Sequence, residues 1–249
     1  MKRYAFAGLL LALFVLAWQG VASLHSVDDL TLASPVDTAR ALGSDRSLLL
    51  SNAGVTLGEV LLGLAVAVVA GAGAALAMHL ARPLRDAAYP LLIASQAIPI
   101  VVLAPLLVLA FDYGIGPKIA IVGLVCFFPV TVNLLDGLRA TDAELLKLMR
   151  SLGASRARTL WKVELPAALP YLFSGLRVAA TVSVIGAVFG EWAGAEDGLG
   201  RLVLLGTQQL ETARAYAGIV LLTVMALALF AAVTLAERAA VPWARRDAL

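Results

Sequence analysis

Histidine, cysteine and charge are scarce in this sequence. Its 249 residues include two histidines and one cysteine, Cys126, so the chain cannot form an intrachain disulfide. No Cys/His cluster has metal-ligand spacing, and neither H-E-x-x-H nor G-x-S-x-G occurs. The phosphate-binding loop G-x-x-x-x-G-K-S/T is missing as well. These absences exclude the common zinc-dependent and serine hydrolases and the P-loop ATPases.

Charged residues make up 14% of the chain, against about 25% in an average soluble protein. Hydrophobic residues make up 61%, which exceeds the usual share of about 45–50%. A domain surrounded by water cannot bury so large an excess of apolar surface. We therefore predict an all-α membrane protein in contact with lipid, in which Cys126 is a packing residue among apolar neighbours.

Six apolar stretches approach the roughly 20 residues that a membrane-spanning helix needs. They cover residues 4–21, 56–80, 89–111, 118–135, 171–190 and 215–236. The first resembles a secretory signal peptide, but its apolar run is long and the Ser-Leu-His-Ser that follows is a poor cleavage site. A retained helix is therefore predicted there. Segment 201–206 is too short to span and is predicted to be re-entrant or interfacial.

The predicted spans divide into an N-terminal unit and a core. Residues 1–50 hold the first span and a short helix on the outer surface, which Ser34 caps, Pro35 begins and Gly43 ends. Residues 51–249 hold the other five spans, with a cytoplasmic loop at 139–170.

The distribution of lysine and arginine predicts the orientation of the chain, because short cytoplasmic segments collect these residues. With both termini inside, thirteen lie in cytoplasmic segments and five outside, and Arg177 lies within the fifth span. The thirteen are Lys2, Arg3, Arg82, Arg85, Arg139, Lys147, Arg150, Arg156, Arg158, Lys162, Arg238, Arg245 and Arg246. The five are Arg40, Arg46, Lys118, Arg201 and Arg214. The opposite orientation would reverse this ratio, so an N-in, C-in topology is predicted.

The loop 139–170 has helix signals of its own. Thr-Asp-Ala-Glu at 141–144 is a capping box that predicts a helix start, and Gly153 ends that helix. Ser155 is placed to cap a second short helix over 156–163, which Leu165-Pro166 ends because the residue before proline disfavours the α region.

The second short helix is basic, and two functions fit it equally. It could lie on anionic lipid, anchored by Trp161 and its cations. Alternatively, it could be the docking element for a cytosolic partner. The residues alone favour neither.

The spacing of this loop resembles a known signature. Gly153, nine residues and then Val163-Glu164-Leu165-Pro166 resemble the cytoplasmic loop of ABC importer permeases, whose pattern is Glu-Ala-Ala, three residues, Gly, nine residues, Ile, any residue, Leu-Pro. Val163 replaces the isoleucine, and Lys147-Leu148-Met149 departs from Glu-Ala-Ala. The runs QAIPIVVLAPLLVLAFDYGIGPK and CFFPVTVNLLDGLR resemble the branch that imports nitrate, sulfonates, taurine and thiamine-precursor pyrimidines.

The resemblance covers nearly the whole chain and implies a type I ABC importer permease in the bacterial inner membrane. It implies a second permease copy as partner, in a homodimer, and two cytosolic ATPase subunits that bind ATP and Mg²⁺. It also implies an extracytoplasmic binding protein that delivers the solute. No cofactor of this chain and no nucleic acid partner are expected.

The same resemblance assigns ATPase coupling to the loop and suggests a solute. The implied coupling residues are Gly153, Ala154, Ser155, Arg156, Arg158, Lys162, Val163, Glu164, Leu165 and Pro166. FDYGIGPK and CFFPVTVNLLDGLR are most similar to permeases for hydroxymethylpyrimidine or formylaminopyrimidine. Aliphatic sulfonate, taurine or nitrate are the alternatives. The spans contain no dense cluster of cations, which disfavours a dedicated anion site.

Polar and helix-bending residues within the spans are candidates for the transport pathway, because such groups in lipid usually face protein or water. They are Gln96, Pro99, Pro105, Pro129, Asn133 and Ser183. Structural kinks would explain the prolines equally well. Ser183 also belongs to a row of small residues from Gly175 to Ala187, which predicts close helix packing within one subunit or at a two-fold axis.

Several other polar residues have simpler interpretations. His25 and His79 are predicted to be interfacial polar residues, Arg177 to extend to the cytoplasmic face, and Trp192 to be an interfacial anchor. Glu191, with Glu196 and Asp197, is predicted to be a solvated loop acid or a contact for a binding protein.

Two further protein classes remain open from the residues alone. A membrane-embedded enzyme would carry ionisable residues paired at membrane depth, and the sequence predicts no such pair. A membrane scaffold without transport would need neither the bent polar spans nor an ordered loop.

Overall fold

The computed structural model describes residues 2–24 and 31–243, and every regular element in these ranges is helical. The helices are α1 (Lys2–Ala22), α2 (Pro35–Ser44), α3 (Arg46–Leu80), α4 (Arg82–Ser95), α5 (Ile100–Phe111), α6 (Ile115–Arg139), α7 (Ala143–Ser151), α8 (Arg156–Thr159), α9 (Leu165–Trp192), α10 (Leu199–Gln208) and α11 (Thr212–Ala240). A π-helical turn, Leu160–Glu164, joins α8 to α9.

Four helices are long and apolar enough to cross a membrane: α3, α6, α11 and the continuous helix Arg156–Trp192. Helices α4 and α5 together could form a fifth span, and α1 contributes the shorter apolar stretch Gly8–Ala22. The all-α membrane fold is therefore confirmed, while the count of six spans and their orientation stay predictions.

The third predicted span, 89–111, is not one straight helix. Helices α4 and α5 meet at 102° around a break at residues 96–99. Pro99 adopts extended backbone at the start of α5 and has no N–H to continue the α4 hydrogen-bond ladder. Because Ile98 precedes proline, it is disfavoured in the α region, and the chain turns there.

The core lies between α3, α6 and α9, where small residues let the helices approach closely. A Cβ on Gly175 would lie 2.5 Å from the Pro129 carbonyl oxygen of α6, and Cys126 Sγ lies 3.3 Å from the Ala179 carbonyl oxygen. The small-residue row of α9 therefore packs against α6 of the same subunit. Cys126 is fully buried, which confirms its predicted packing role.

The smaller predicted helices are present with shifted ends. Ser34 caps α2 by accepting a 3.1 Å hydrogen bond from the Asp37 N–H, but the helix continues past Gly43 to Ser44. Segment 201–206 lies within α10, which buries Leu202, Val203 and Gly206 among its neighbours.

Candidate functional site

Helix α7 begins and ends at residues that satisfy its terminal backbone groups. Asp142, rather than Thr141, is its N-cap and accepts a 2.8 Å hydrogen bond from the Glu144 N–H, so the predicted capping box is wrong by one residue. At the other end, Gly153 has φ +69° and donates to the Arg150 carbonyl, while Ala154 donates to that of Met149, each at 3.0 Å. These two backbone hydrogen bonds, with glycine in the left-handed region, form the Schellman motif. They confirm Gly153 as the residue that ends the helix.

The basic segment that follows is not a separate short helix. Ser155 caps α8 through a 3.3 Å bond from the Arg158 N–H, as predicted, but Leu165-Pro166 does not end the helix. The π turn carries the chain directly into α9, and Pro166 lies in the first turn of α9. In a π turn each N–H bonds to the carbonyl of the fifth preceding residue instead of the fourth. Pro166 follows this change in the hydrogen-bond pattern, and its ring and missing N–H are accommodated there.

This continuity gives the loop a defined exposed surface, which we call the loop surface. It comprises the exposed side chains of Leu148, Leu152, Arg156, Arg158, Trp161 and Lys162. Leu152 and Trp161 are 72% and 71% exposed, and α7 buries none of its residues. Cationic and large apolar groups therefore lie side by side without a covering element from the described part of this chain.

The other coupling candidates divide between exposed and buried positions. Ala154 and Val163 are half-buried, as are Leu165 and Pro166, whereas Glu164 is buried. Glu164 Oε2 lies 2.9 Å from Nε2 of His79, in the last turn of α3. This contact fixes the end of α3 against the π turn and gives His79 a specific partner. The interfacial position of His79 stays a prediction. His25 lies outside the described residues.

We expect Glu164→Ala to lower the free energy of unfolding by about 1–3 kcal/mol, because it leaves the half-buried imidazole of His79 without its partner. Thermal unfolding of the detergent-purified protein would measure this change. Glu144→Ala is the matched control, since Glu144 is exposed on α7. Equal destabilisation by both changes would contradict the role assigned to the His79–Glu164 contact.

The six predicted pathway residues do not form one site. Gln96 and Pro99 are exposed at the break between α4 and α5, beside a cavity of about 410 Å³, and Pro105 is exposed within α5. By contrast, the other three lie in helices of the core, where their polar groups bond locally.

Local hydrogen bonds account for the polar groups of this second set. Asn133 Nδ2 donates to the Pro129 carbonyl at 2.8 Å, and Ser183 Oγ donates to the Ala180 carbonyl at 2.8 Å. Pro129 and Ser183 are buried. The structure thus brings Pro129 and Asn133 together, but as part of the α6–α9 contact.

A buried polar cluster at the start of α10 was missed by reading the sequence. Glu191 is fully buried and accepts from Thr56 Oγ1 at 2.6 Å and from the Arg201 N–H at 3.0 Å. Thr56 Oγ1 in turn accepts from the Leu199 N–H at 2.8 Å, and Asn52 Oδ1 accepts from the Gly198 N–H at 2.7 Å. Side chains of α3 and α9 therefore satisfy the unpaired N–H groups of the first turn of α10.

Two glycines make room for this carboxylate. A Cβ on Gly198 would lie 2.2 Å from Glu191 Cδ, and one on Gly200 would lie 2.7 Å from Glu191 Oε2. Trp192 Nε1 also donates to the Gly200 carbonyl at 2.9 Å. The prediction of Glu191 as a solvated loop acid is wrong, whereas Glu196 and Asp197 are exposed.

Ionisable side chains do pair within the spans, contrary to the prediction from sequence. Lys118 Nζ lies 2.5 Å from Glu59 Oε1, and both residues are buried. Arg177 pairs with Glu237 of α11 at 2.9 Å. A single acid within the apolar run 56–80 was the signal for the first pair, because a charge at membrane depth usually has a partner.

The comparisons with known proteins agree with this architecture. The "Formylaminopyrimidine transport permease protein ThiX" of Halalkalibacterium halodurans is 36% identical over 87% of this chain and 87% of that protein. The "Taurine transport system permease protein TauC" of Escherichia coli is 30% identical over 94% and 87%. A crystal structure of an amino acid ABC transporter with histidines superposes with a TM-score of 0.63 at 20% identity, over 79% of this chain and 96% of that one, which shows the shared fold.

Residues 63–246 match the family described as "Binding-protein-dependent transport system inner membrane component". This match covers most of the chain, including the loop surface and the α9 and α10 residues of the buried cluster, while Asn52 and Thr56 of that cluster lie before it. The chain belongs to this family and is a multi-pass inner-membrane permease component of an ABC transporter.

Proposed function

We propose that this permease forms the translocation pathway of an ATP-driven importer together with a second copy of itself. The predicted topology, six spans with both termini in the cytoplasm, fits this arrangement and places thirteen of nineteen lysines and arginines inside. The His79–Glu164 contact also fits, since it holds the end of α3 beside the loop that must then face the cytoplasm.

The loop surface is the proposed docking site for two cytosolic ATPase subunits. One observation carries this proposal: the exposed basic helix is continuous with α9 as far as Trp192. A push on Arg156 or Arg158 is thereby transmitted along one helix into the α3–α6–α9 core. ATP and Mg²⁺ would be bound and hydrolysed in the ATPase subunits, and this chain would carry no cofactor.

The solute would reach the opposite face on an extracytoplasmic binding protein. We propose a thiamine-precursor pyrimidine, hydroxymethylpyrimidine or formylaminopyrimidine, as the solute. The similarity to a formylaminopyrimidine permease supports it. Taurine and aliphatic sulfonates are the alternative, because a taurine permease is similar over as much of the chain.

Removing the cations of the loop surface tests the docking proposal. We expect a pull-down from membranes to recover an ATP-binding subunit with the wild type and to lose most of it with Arg156→Ala/Arg158→Ala/Lys162→Ala. Each lost charge-assisted contact weakens binding by about 1.5–3 kcal/mol. Quantification of the ATPase subunit per permease in gentle detergent is the measurement.

A matched control removes three other exposed cations that the same topology places in the cytoplasm. Arg82→Ala/Arg139→Ala/Arg238→Ala has the same charge change and should still recover the ATPase. If the wild type recovers no ATPase but binds anionic vesicles through these cations, the loop surface is a lipid-binding element and the scaffold class gains support.

A further inference from the structure

A cavity of about 630 Å³ lies between the N-terminal half of α3 and the start of α6, and we call it the Glu59 cavity. Gly54, Gly58 and Glu59 of α3 form one side, Lys118 of α6 another, and Tyr113 and Gly194 lie on the connecting segments. Glu196 and Asp197 are its exposed rim. The predicted topology places this end of the bundle at the outer face, where a binding protein would release its solute.

The charges around the Glu59 cavity do not cancel. Glu59 Oε1 is paired with Lys118, but Glu59 Oε2 is buried and has no hydrogen-bond partner among the described residues. Behind it, the buried Glu191 carboxylate interacts electrostatically with Glu59. One ammonium group, which pairs with Glu59, therefore stands against two buried carboxylates, and the two rim acids add to the negative charge.

An unpartnered carboxylate oxygen in a low-dielectric interior is costly, and a donor that reaches it recovers that cost. Because Glu59 Oε2 is enclosed, that donor can be a proton, whereas a solute in the cavity meets the electric field of the carboxylate. A net-acidic cavity raises the local concentration of cations and N–H donors and repels oxyanions. Lys118 beside Glu59 supplies a donor of its own for an acceptor on the same solute.

We propose that the Glu59 cavity is a solute site that selects amino-substituted, neutral or cationic nitrogen compounds over oxyanions such as sulfonates. The inference deepens the proposed import function and rests on it. It favours the pyrimidine over aliphatic sulfonates without an amino group, on electrostatic grounds that are independent of the similarity to known permeases.

The rate of cysteine labelling by charged reagents measures the electrostatic potential in the cavity and does not require transport. Nothing lies within 4 Å of a Cβ built on Gly58, so Gly58→Cys projects a thiol into open space, while native Cys126 is buried. We expect the cationic trimethylammonium-ethyl methanethiosulfonate to label this thiol about tenfold faster than the anionic sulfonatoethyl reagent. Gly43→Cys on exposed α2, also with open space around its Cβ, is the control and should show a smaller ratio.

The rim acids supply a second variant that leaves the buried groups intact. Glu196→Gln/Asp197→Asn should lower the labelling ratio at Gly58→Cys and leave it unchanged at Gly43→Cys. Protection of Gly58→Cys by hydroxymethylpyrimidine, with none by the anion ethanesulfonate, is the expected result. An equal or faster reaction with the anionic reagent, or protection by ethanesulfonate alone, would overturn the proposed selectivity.

Uptake by the assembled importer separates failure of this inference from failure of the proposed function. In proteoliposomes with its ATPase and binding protein, Gly58→Val should reduce hydroxymethylpyrimidine uptake about tenfold or more by filling the cavity. Gly73→Val, at an open position further along α3, should not. No pyrimidine uptake by the wild type would refute the proposed solute, whereas wild-type uptake that Gly58→Val leaves unchanged would refute the Glu59 cavity as its site.

Discussion

Gly198→Ala is expected to destabilise the protein by about 3 kcal/mol or more, because strain and overpacking act together at this position. Gly198 has φ +126°, a conformation that residues with a Cβ rarely adopt. The added methyl would also lie 2.4 Å from Glu191 Oε1 and 2.5 Å from Oε2. Relieving this clash would displace the carboxylate that accepts from Thr56 and the Arg201 N–H.

Thermal unfolding in detergent, followed by circular dichroism, would measure the loss. Gly73→Ala is the control, because it adds the same methyl to a helical glycine with open space around it and alanine favours helix. An unfolding temperature for Gly198→Ala equal to that of the wild type would contradict the described geometry of the α10 cluster.

Gly153→Val is expected to leave the protein folded in the membrane but to uncouple ATP hydrolysis from uptake. No atom lies within 4 Å of a Cβ at this position, so the core is undisturbed. At φ +69°, however, a β-branched residue costs about 1–2 kcal/mol or more. The turn between α7 and α8 would open to relieve that strain. The two halves of the loop surface would then no longer be held in a fixed relative orientation.

Parallel assays of uptake and ATP hydrolysis in proteoliposomes would measure this effect. We expect uptake to fall about tenfold or more, because the strain energy of the turn corresponds to an equilibrium ratio of that size. ATP hydrolysis should no longer be stimulated by the loaded binding protein. Gly153→Asn is the control, because asparagine tolerates the left-handed region and should retain most coupling. Normal coupled uptake by Gly153→Val would refute the role of this turn in coupling.

Sequence patterns predicted the elements whose causes are local. The Ser34 and Ser155 caps and the Gly153 stop each depend on a few neighbouring residues, and all three are found in the structure. Four of the six apolar runs are found in long helices. The proline stop at Leu165-Pro166 was wrong because a π turn, supported by the buried Glu164–His79 contact, accommodates the ring. That contact joins residues 85 apart, so no local pattern contains it.

The candidate sites differ in how much of each could be predicted from the sequence. The three cations predicted for the coupling loop, Arg156, Arg158 and Lys162, are exposed in the structure, because they lie within one short capped segment, and their role in coupling stays a prediction. The α10 cluster and the Glu59 cavity were not predicted, because Glu59 and Lys118 lie 59 positions apart and Thr56 and Glu191 lie 135 apart. In sequence, Glu191 and its acidic neighbours look alike, and only packing distinguishes the buried acid from the exposed ones.

Sequence alone thus determined that the chain is a helical membrane protein with an ordered basic loop, since hydropathy, charge bias and capping are properties of contiguous residues. Tertiary structure alone decided which polar groups face each other across helices and which of them are left without a partner. The physical reason is that burial and pairing of a charge depend on neighbours brought together by folding, and at membrane depth the cost of leaving a charge unpaired makes those neighbours decisive.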